Sequence, residues 1–277
     1  MMRRLPLSLQ AKRFNRANSS ALLIVSQPSM RRVLLLSALS LLALGAAEAP
    51  SPPTPLPPAE AAKQGRALAA EILSQTPAYN VTNTGVLKIR DAKRLWTELP
   101  LRFEVITNAT NWSGVYEAEP ATNGIGLVRL TIVHNDTQPA AYDLGRKAIP
   151  RTLSGNELMI PFAGSDFWVV DLGLEFFHWP EQRLLRNELR RSRSCRVLES
   201  VNPQPAPGAY SRVLSWIDAE SDGPVHAEAY DFNNKLLKEF DPKEFKKVNG
   251  HWEWREVEIA NRQTGTRARI ELNLGSK

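Results

Sequence analysis

The fold is decided by residues 210–240, which read YSRVLSWIDAESDGPVHAEAYDFNNKLLKEF. Apolar residues alternate with a period of two, placing Val213 on one face and Trp216 on the other, as is typical of a β-strand. Polar turn residues at 219–223 and 233–234 separate three such segments. The stretch therefore predicts three antiparallel strands joined by tight turns.

The same pattern continues to the carboxyl end. Asn249 and Gly250 form the strongest two-residue hairpin signal in the chain. Trp254 is out of phase with Val257, which predicts a β-bulge near Arg255. The last strand presents four apolar residues on one face, namely Ala268, Ile270, Leu272 and Leu274. The sequence thus predicts an antiparallel meander with one apolar face.

A second meander is predicted over residues 84–135, after a helix that begins near Pro58 and ends before Pro77. Between the meanders lies an aromatic segment, 164–185, in which Ser165 or Asp166 caps a predicted helix that Pro180 ends. The order is helix, half sheet, helical insertion, half sheet. It fits a closed barrel, a sandwich, or one long curved sheet wrapped about helices.

Residues 1–47 read as a leader. Arg31 and Arg32 precede an apolar run that is long enough for a secretion signal and too short for the ~20 residues of a membrane-spanning helix. Cleavage is predicted after Ala47, and Met30 is a candidate start. A proline-rich spacer (48–58) and one domain (59–277) follow. The expectation is a periplasmic protein with its signal cleaved; the alternative is an uncleaved anchor.

Net charge excludes one class of partner. The formal charge of +6 comes from the leader, because the chain after residue 49 holds 28 basic and 28 acidic residues. No basic stripe with interleaved aromatic residues remains, so nucleic-acid binding is not expected.

No catalytic or metal-binding set stands out. Four histidines are scattered without metal-ligand spacing and are predicted to lie on the surface or in turns: His134, His178, His226 and His251. Asp166 and Asp171 are interpreted as a helix cap and a surface acid, and Cys195 as a small core residue. The sequence predicts a protein that is not an enzyme and has neither cofactor nor metal.

Several stretches carry a family resemblance. FAGSDFWVVDL (162–172), HWPEQRLLRNELRRSRSCRVLES (178–200), FKKVNGHWEWREVEI (245–259) and QTGTRARIEL (263–272) resemble the bacterial outer-membrane lipoprotein-sorting family, relatives of the periplasmic carrier of the lipoprotein localisation pathway. The resemblance spans residues 60–275. The chain departs from it at residues 168–170, which are bulky where the family has small or polar residues. No residue matches the arginine that latches the carrier's lid.

The resemblance implies a mainly β fold, a strongly curved antiparallel sheet forming an unclosed half-barrel with helices over its concave face. It implies a non-catalytic periplasmic carrier that binds acyl chains of lipoproteins or lipids and meets membrane-bound donor and acceptor proteins. An envelope-stress regulator that shares this fold and binds a membrane-bound anti-sigma partner is the alternative.

An acyl site must be extensive. At ~0.8 kcal/mol per CH₂, withdrawing about fourteen such groups from a bilayer costs on the order of 11 kcal/mol. At ~25 cal/mol per Å² the groove must bury roughly 400 Å² of apolar surface. The predicted groove residues are Leu101, Phe103, Val105, Phe167, Trp168, Phe177, Trp216 and Trp254. Residues 167–179 are predicted to form a movable lid that fills the empty groove when closed.

Overall fold

A computed structural model describes residues 55–119, 126–135, 139–146, 149–248 and 251–275. The predicted leader and the hairpin at residues 249–250 lie outside them. The strands are β1 (Val81–Arg90), β2 (Trp96–Thr107), β3 (Asn111–Ala118), β4 (Val128–Asn135), β5 (Ala141–Arg146), β6 (Ile149–Leu153), β7 (Glu181–Arg190), β8 (Arg193–Val201), β9 (Arg212–Asp218), β10 (Pro224–Tyr230), β11 (Leu236–Val248), β12 (His251–Asn261) and β13 (Arg267–Asn273).

The helices are short apart from the first one. They are α1 (Pro58–Leu73), α2 (Val169–Leu172) and two 3₁₀ turns, Gly155–Leu158 and Glu175–His178. No helix within the described residues is both long and apolar enough to cross a lipid bilayer.

The thirteen strands form one antiparallel sheet in the order β6, β5, β4, β3, β2, β1, β13, β12, β11, β10, β9, β8, β7. The first and last strands pair in the middle, with Leu87 opposite Ile270, and β6 and β7 are left as the two open edges. The sheet is not closed into a barrel. The predicted open half-barrel is therefore confirmed.

One connection spans the sheet from edge to edge. Residues 154–180, here called the insertion, link β6 to β7 along the concave face. Phe162 and Phe177 of the insertion belong to the same buried core as Leu130 of β4 and Ile259 of β12. The insertion thus supplies the second layer that one face of an antiparallel sheet requires.

The aromatic segment folds differently from the predicted helix. Leu174 adopts a left-handed conformation, with a φ of 51°, and separates α2 from the 3₁₀ turn at Glu175–His178. The cap is also different, because the backbone N–H of Trp168 donates to the Asp171 carboxylate at 2.8 Å rather than to Ser165 or Asp166. The continuous helix predicted here is wrong, since Gly173 and Leu174 break the helical run after one turn.

The predicted bulge is present. In the pairing of β11 with β12, Glu244 lies opposite Glu256 and Phe245 lies opposite Trp254, so Arg255 is the extra residue. This bulge moves Trp254 onto the same face as Val257.

Helix α1 packs closely on the edge strand β7. A Cβ built on Gly65 would lie 2.5 Å from the backbone nitrogen of Arg183, closer than any real contact of this kind. Leu68 and Ile72 on the same helix are buried in the core. Glycine at position 65 is therefore what permits helix and strand to meet.

We expect Gly65→Ala to destabilise the protein by about 1–3 kcal/mol, because the clash involves rigid backbone. The substitution favours the helix by ~1 kcal/mol, which the clash should outweigh. Urea unfolding measures the change. Gly145→Ala is the control, since its added Cβ would meet nothing closer than 3.7 Å. An equal loss in both variants would show that the contact with β7 is not the cause.

Candidate functional site

A cavity of about 520 Å³ lies between the concave face and the insertion. The cavity lies at one end of the sheet, where β1, β3 and β12 begin and β2, β4 and β13 end. The segment that follows α1 forms a further part of its wall. Its walls are mostly apolar. Ligand sites of ~300–1,000 Å³ with such walls are typical of small-molecule binding.

Five of the eight predicted groove residues line this cavity: Phe103, Val105, Phe167, Phe177 and Trp254. They come from β2, the insertion and β12, so the fold brings together side chains that are up to 151 residues apart. Trp254 joins them because the bulge at Arg255 corrects its phase.

The other three predicted residues lie elsewhere. Leu101 is buried in the core away from the cavity lining. Trp168 stacks on Tyr210, with ring centroids 4.8 Å apart. Trp216 packs with Cys195 in a separate cluster, because it is out of phase with Val213, which faces the main core. Placing Trp216 in the groove was wrong, since alternation puts it on the opposite face of β9.

Sequence reasoning missed part of the lining. Ile72 and Leu73 at the end of α1 line the cavity, as do Ile270, Leu272 and Leu274 near the end of the chain. The period of two in the last strand identified its apolar face. This period does not indicate that the apolar face borders a cavity.

The expectation that the closed insertion fills the groove is also wrong. Phe167 and Phe177 are buried in the core and at the same time form part of the cavity wall. The cavity therefore persists beside a fully packed insertion.

One wall of the cavity carries an unpaired amide. Asn83 in β1 is only 5% exposed and faces the cavity. Its side chain has no hydrogen-bond partner among the described residues. The amide is not fully enclosed, so its polar atoms open onto the cavity.

His134, near the end of β4, lines the cavity. Its ring stacks on that of Trp112, with the ring centroids 3.8 Å apart. Burial and the nearby His178 lower the pKa of His134 to about 4. Burial also lowers the pKa of His178, whose Nε2 is buried without a partner within the described residues. Both rings are neutral at pH 7. His178 lies in the 3₁₀ turn at Glu175–His178, in keeping with a predicted surface or turn position, whereas this prediction is wrong for His134, which lies in β4 and lines the cavity.

The insertion is held to the sheet by Lys238 of β11, which is 1% exposed. Its ammonium group donates to the backbone carbonyl of Asp166 at 2.7 Å and lies 3.4 Å from the centre of the Trp168 ring. The Asp171 carboxylate is 3.6 Å away and accepts from the Tyr210 hydroxyl at 2.9 Å. Together these contacts connect the insertion to β11 and to the segment that precedes β9.

Burial acts against both charges of this pair. It lowers the pKa of Lys238 to about 8, although Asp171 and Asp166 favour the ammonium form. It likewise raises the pKa of Asp171, outweighing the attraction of Lys238. Asp171 is buried, so its prediction as a surface acid is wrong. Local sequence patterns do not predict this burial, because the two partners are 67 positions apart in the chain.

A second carboxylate of the insertion is half-buried. Glu175 accepts a hydrogen bond from the Tyr142 hydroxyl at 2.9 Å, and burial raises its pKa from 4.5 to about 7. A carboxyl with a raised folded pKa contributes stability below its unfolded pKa and loses it as the pH rises through the folded value.

We therefore expect Glu175→Gln to stabilise the protein at pH 8 by up to about 3 kcal/mol and to have little effect at pH 4. Urea unfolding of both proteins at several pH values isolates this group. His134 and His178 oppose the trend, because their lowered pKa values remove stability as the pH falls below 6.5. Glu220→Gln, an exposed turn acid, is the control. A pH-independent difference between wild type and Glu175→Gln would contradict the assignment.

The convex face holds a separate polar group. His226 is buried, with Nδ1 2.8 Å from an Asp241 oxygen and Nε2 3.3 Å from a Glu228 oxygen. Its predicted position on the surface or in a turn is wrong, because Asp241 on the neighbouring strand β11 and Glu228 on its own strand β10 compensate its burial. Cys195 is buried as predicted, next to Trp216. Three or more potential metal ligands do not cluster anywhere in the described ranges.

Comparisons with known proteins agree with this architecture. A putative outer membrane lipoprotein-sorting protein domain from Vibrio parahaemolyticus superimposes with a TM-score of 0.63 at 19% identity, over 78% of this chain and 95% of that one. A DUF1329 family protein from Desulfovibrio piger gives 0.61 at 15% identity, over 78% and 95%. The chain shares their fold.

A LolA superfamily protein from Nitrosomonas europaea gives a TM-score of 0.53 at 18% identity, covering 77% of this chain and 91% of that protein. A family model described only as an uncharacterized-protein-like family matches residues 146–274. No curated protein matches the sequence. The resemblance to lipoprotein-sorting proteins is thus confirmed at the level of the fold.

Proposed function

We propose that this protein is a non-catalytic carrier of the bacterial envelope that binds acyl chains of lipoproteins or lipids in the concave-face cavity. The single observation that carries the proposal is the apolar cavity of about 520 Å³ in a fold shared with lipoprotein-sorting proteins. The lining combines strands from both halves of the sheet with the insertion, as an acyl groove requires.

The proposal includes a movable insertion. The insertion is held by a set of polar side-chain contacts, among them those of Lys238 with Asp166 and Asp171, of Thr266 with Asp166 and of Tyr142 with Glu175. Separation of these groups opens the cavity along its length, and their contact closes it. In this proposal Lys238 latches the insertion, the role that an arginine has in the lipoprotein carrier and for which this sequence has no matching arginine.

The proposal also covers location. Residues 1–47 act as a cleaved secretion signal and residues 48–58 as a spacer, so the mature domain works in the periplasm. Membrane-bound donor and acceptor proteins deliver and receive its cargo.

Mass spectrometry of protein purified from its own host tests the function. We expect co-purified acyl lipid and an amino terminus at Glu48. Protein that carries no lipid, but is captured with a membrane-bound anti-sigma partner by crosslinking, would favour the envelope-stress regulator. Turnover of an ester or glycan that is lost in an Asp171 variant would identify an enzyme.

A further inference from the structure

We infer that the cavity holds a single acyl chain whose uncharged carbonyl group, an ester or an amide, is bound by the side chain of Asn83. This inference rests on the acyl-binding function proposed above and specifies its ligand.

Asn83 lies on the cavity wall, where its side chain can contact a bound ligand. It pairs with Phe103 of β2 across the sheet, and the register with β13 puts Leu274 on its other side. All three residues line the cavity. The amide is therefore a polar group on an apolar wall, and within the described residues it has no protein partner. A ligand carbonyl can accept a hydrogen bond from this amide inside the apolar cavity, where the bond adds affinity and fixes the orientation of the ligand.

The strand itself does not require this residue. Asparagine is disfavoured in β-strands, and an apolar side chain would suit the buried face of β1 better. Asn83 thus weakens the empty domain at the position where a ligand would meet it. This is the pattern expected of a binding residue rather than a structural one.

The surrounding charges indicate an uncharged carbonyl. Glu253 lines the cavity and accepts a hydrogen bond from Tyr79, and Arg255 is paired with Glu244 at 2.6 Å. His134 is neutral at pH 7 because its pKa is about 4. A free carboxylate would find no unpaired cation in the described lining, whereas an ester or amide carbonyl needs only the Asn83 N–H.

The volume matches that of one acyl chain. At ~30 Å³ for each group the size of a water molecule, about 17 methylene-sized groups fill the cavity. That number corresponds to one long acyl chain. Three chains of a triacylated lipoprotein would need a space roughly three times as large.

The first experiment compares wild type with Asn83→Leu, a change that nearly conserves volume. Three probes are used: monopalmitoylglycerol, palmitate, and diphenylhexatriene, which is apolar and forms no hydrogen bonds. We expect the variant to bind monopalmitoylglycerol about tenfold more weakly, to bind diphenylhexatriene as wild type does, and to unfold at a higher temperature when empty. A lower unfolding temperature with weaker binding of all three probes would assign Asn83 a structural role.

A second measurement does not depend on a variant that folds. The side-chain amide resonances of Asn83 in wild-type protein should shift on titration with monopalmitoylglycerol and not with diphenylhexatriene. Unshifted resonances with monopalmitoylglycerol bound would overturn the assignment of Asn83. Tighter binding of palmitate than of monopalmitoylglycerol would overturn the uncharged carbonyl.

Native mass spectrometry decides the number of chains. One monopalmitoylglycerol per protein, with at least tenfold weaker binding of a tripalmitoylated lipopeptide, is the expected result. Equal affinity for the lipopeptide would overturn the single-chain inference and leave the proposed function standing. If none of the probes bound, the proposed function itself would fail.

Discussion

Replacing Lys238 with methionine should destabilise the protein by about 3–5 kcal/mol at pH 7. The substitution leaves the Asp171 carboxylate buried without its cation, and the loss of one partner from a buried ion pair has this magnitude. It also removes the bond to the Asp166 carbonyl and the contact with the Trp168 ring. Urea unfolding monitored by tryptophan fluorescence measures the change.

The double variant Lys238→Met with Asp171→Asn is the matched control. Asparagine still accepts from the Trp168 N–H and the Tyr210 hydroxyl but carries no charge, so much of the lost stability should return. A single variant that loses less than about 1 kcal/mol, or a double variant no better than the single one, would show that the charge pair does not hold the insertion.

Replacing Val105 with tryptophan should weaken acyl binding roughly 50- to 100-fold, because the indole occupies the space of about three methylenes at ~0.8 kcal/mol each. Val105 points into the cavity and lies opposite Gly114, which leaves room for a large side chain. The fold should therefore be preserved. Affinity for monopalmitoylglycerol and circular dichroism are the two measurements.

Ile106→Trp provides the control, since the neighbouring residue is exposed on the other face of the same strand. It should bind the lipid as wild type does. A folded Val105→Trp protein with wild-type affinity would place the acyl site outside this cavity.

Much of the sheet is determined by local sequence. Alternating apolar residues identify the two faces of a strand, and turn residues such as Asn234, with its φ of 58°, mark where the chain reverses. The bulge at Arg255 follows from a change of phase between Trp254 and Val257. These features depend on neighbours within a few positions, so the sequence alone is sufficient to predict them.

Other features were decided by curvature and by contacts between distant segments. Alternation places Trp216 and Val213 on opposite faces of β9. Which of the two faces is concave and packs against the insertion depends on the curvature of the whole sheet. Lys238 reads as an ordinary surface lysine of an edge or exposed strand. It is buried because Asp171, brought across the concave face, offers a counter-charge in the same place.

The cavity, too, depends on contacts between distant segments. The sequence determined that Phe103, Val105, Phe167, Phe177 and Trp254 are apolar and suited to line a groove, because side-chain type and strand phase are local properties. Only the tertiary structure decided that space remains between them and that Asn83 faces it unpaired. Empty volume depends on how far apart packed elements lie, and that distance is set jointly by the bulge, the glycine contact of α1 and the broken helix of the insertion.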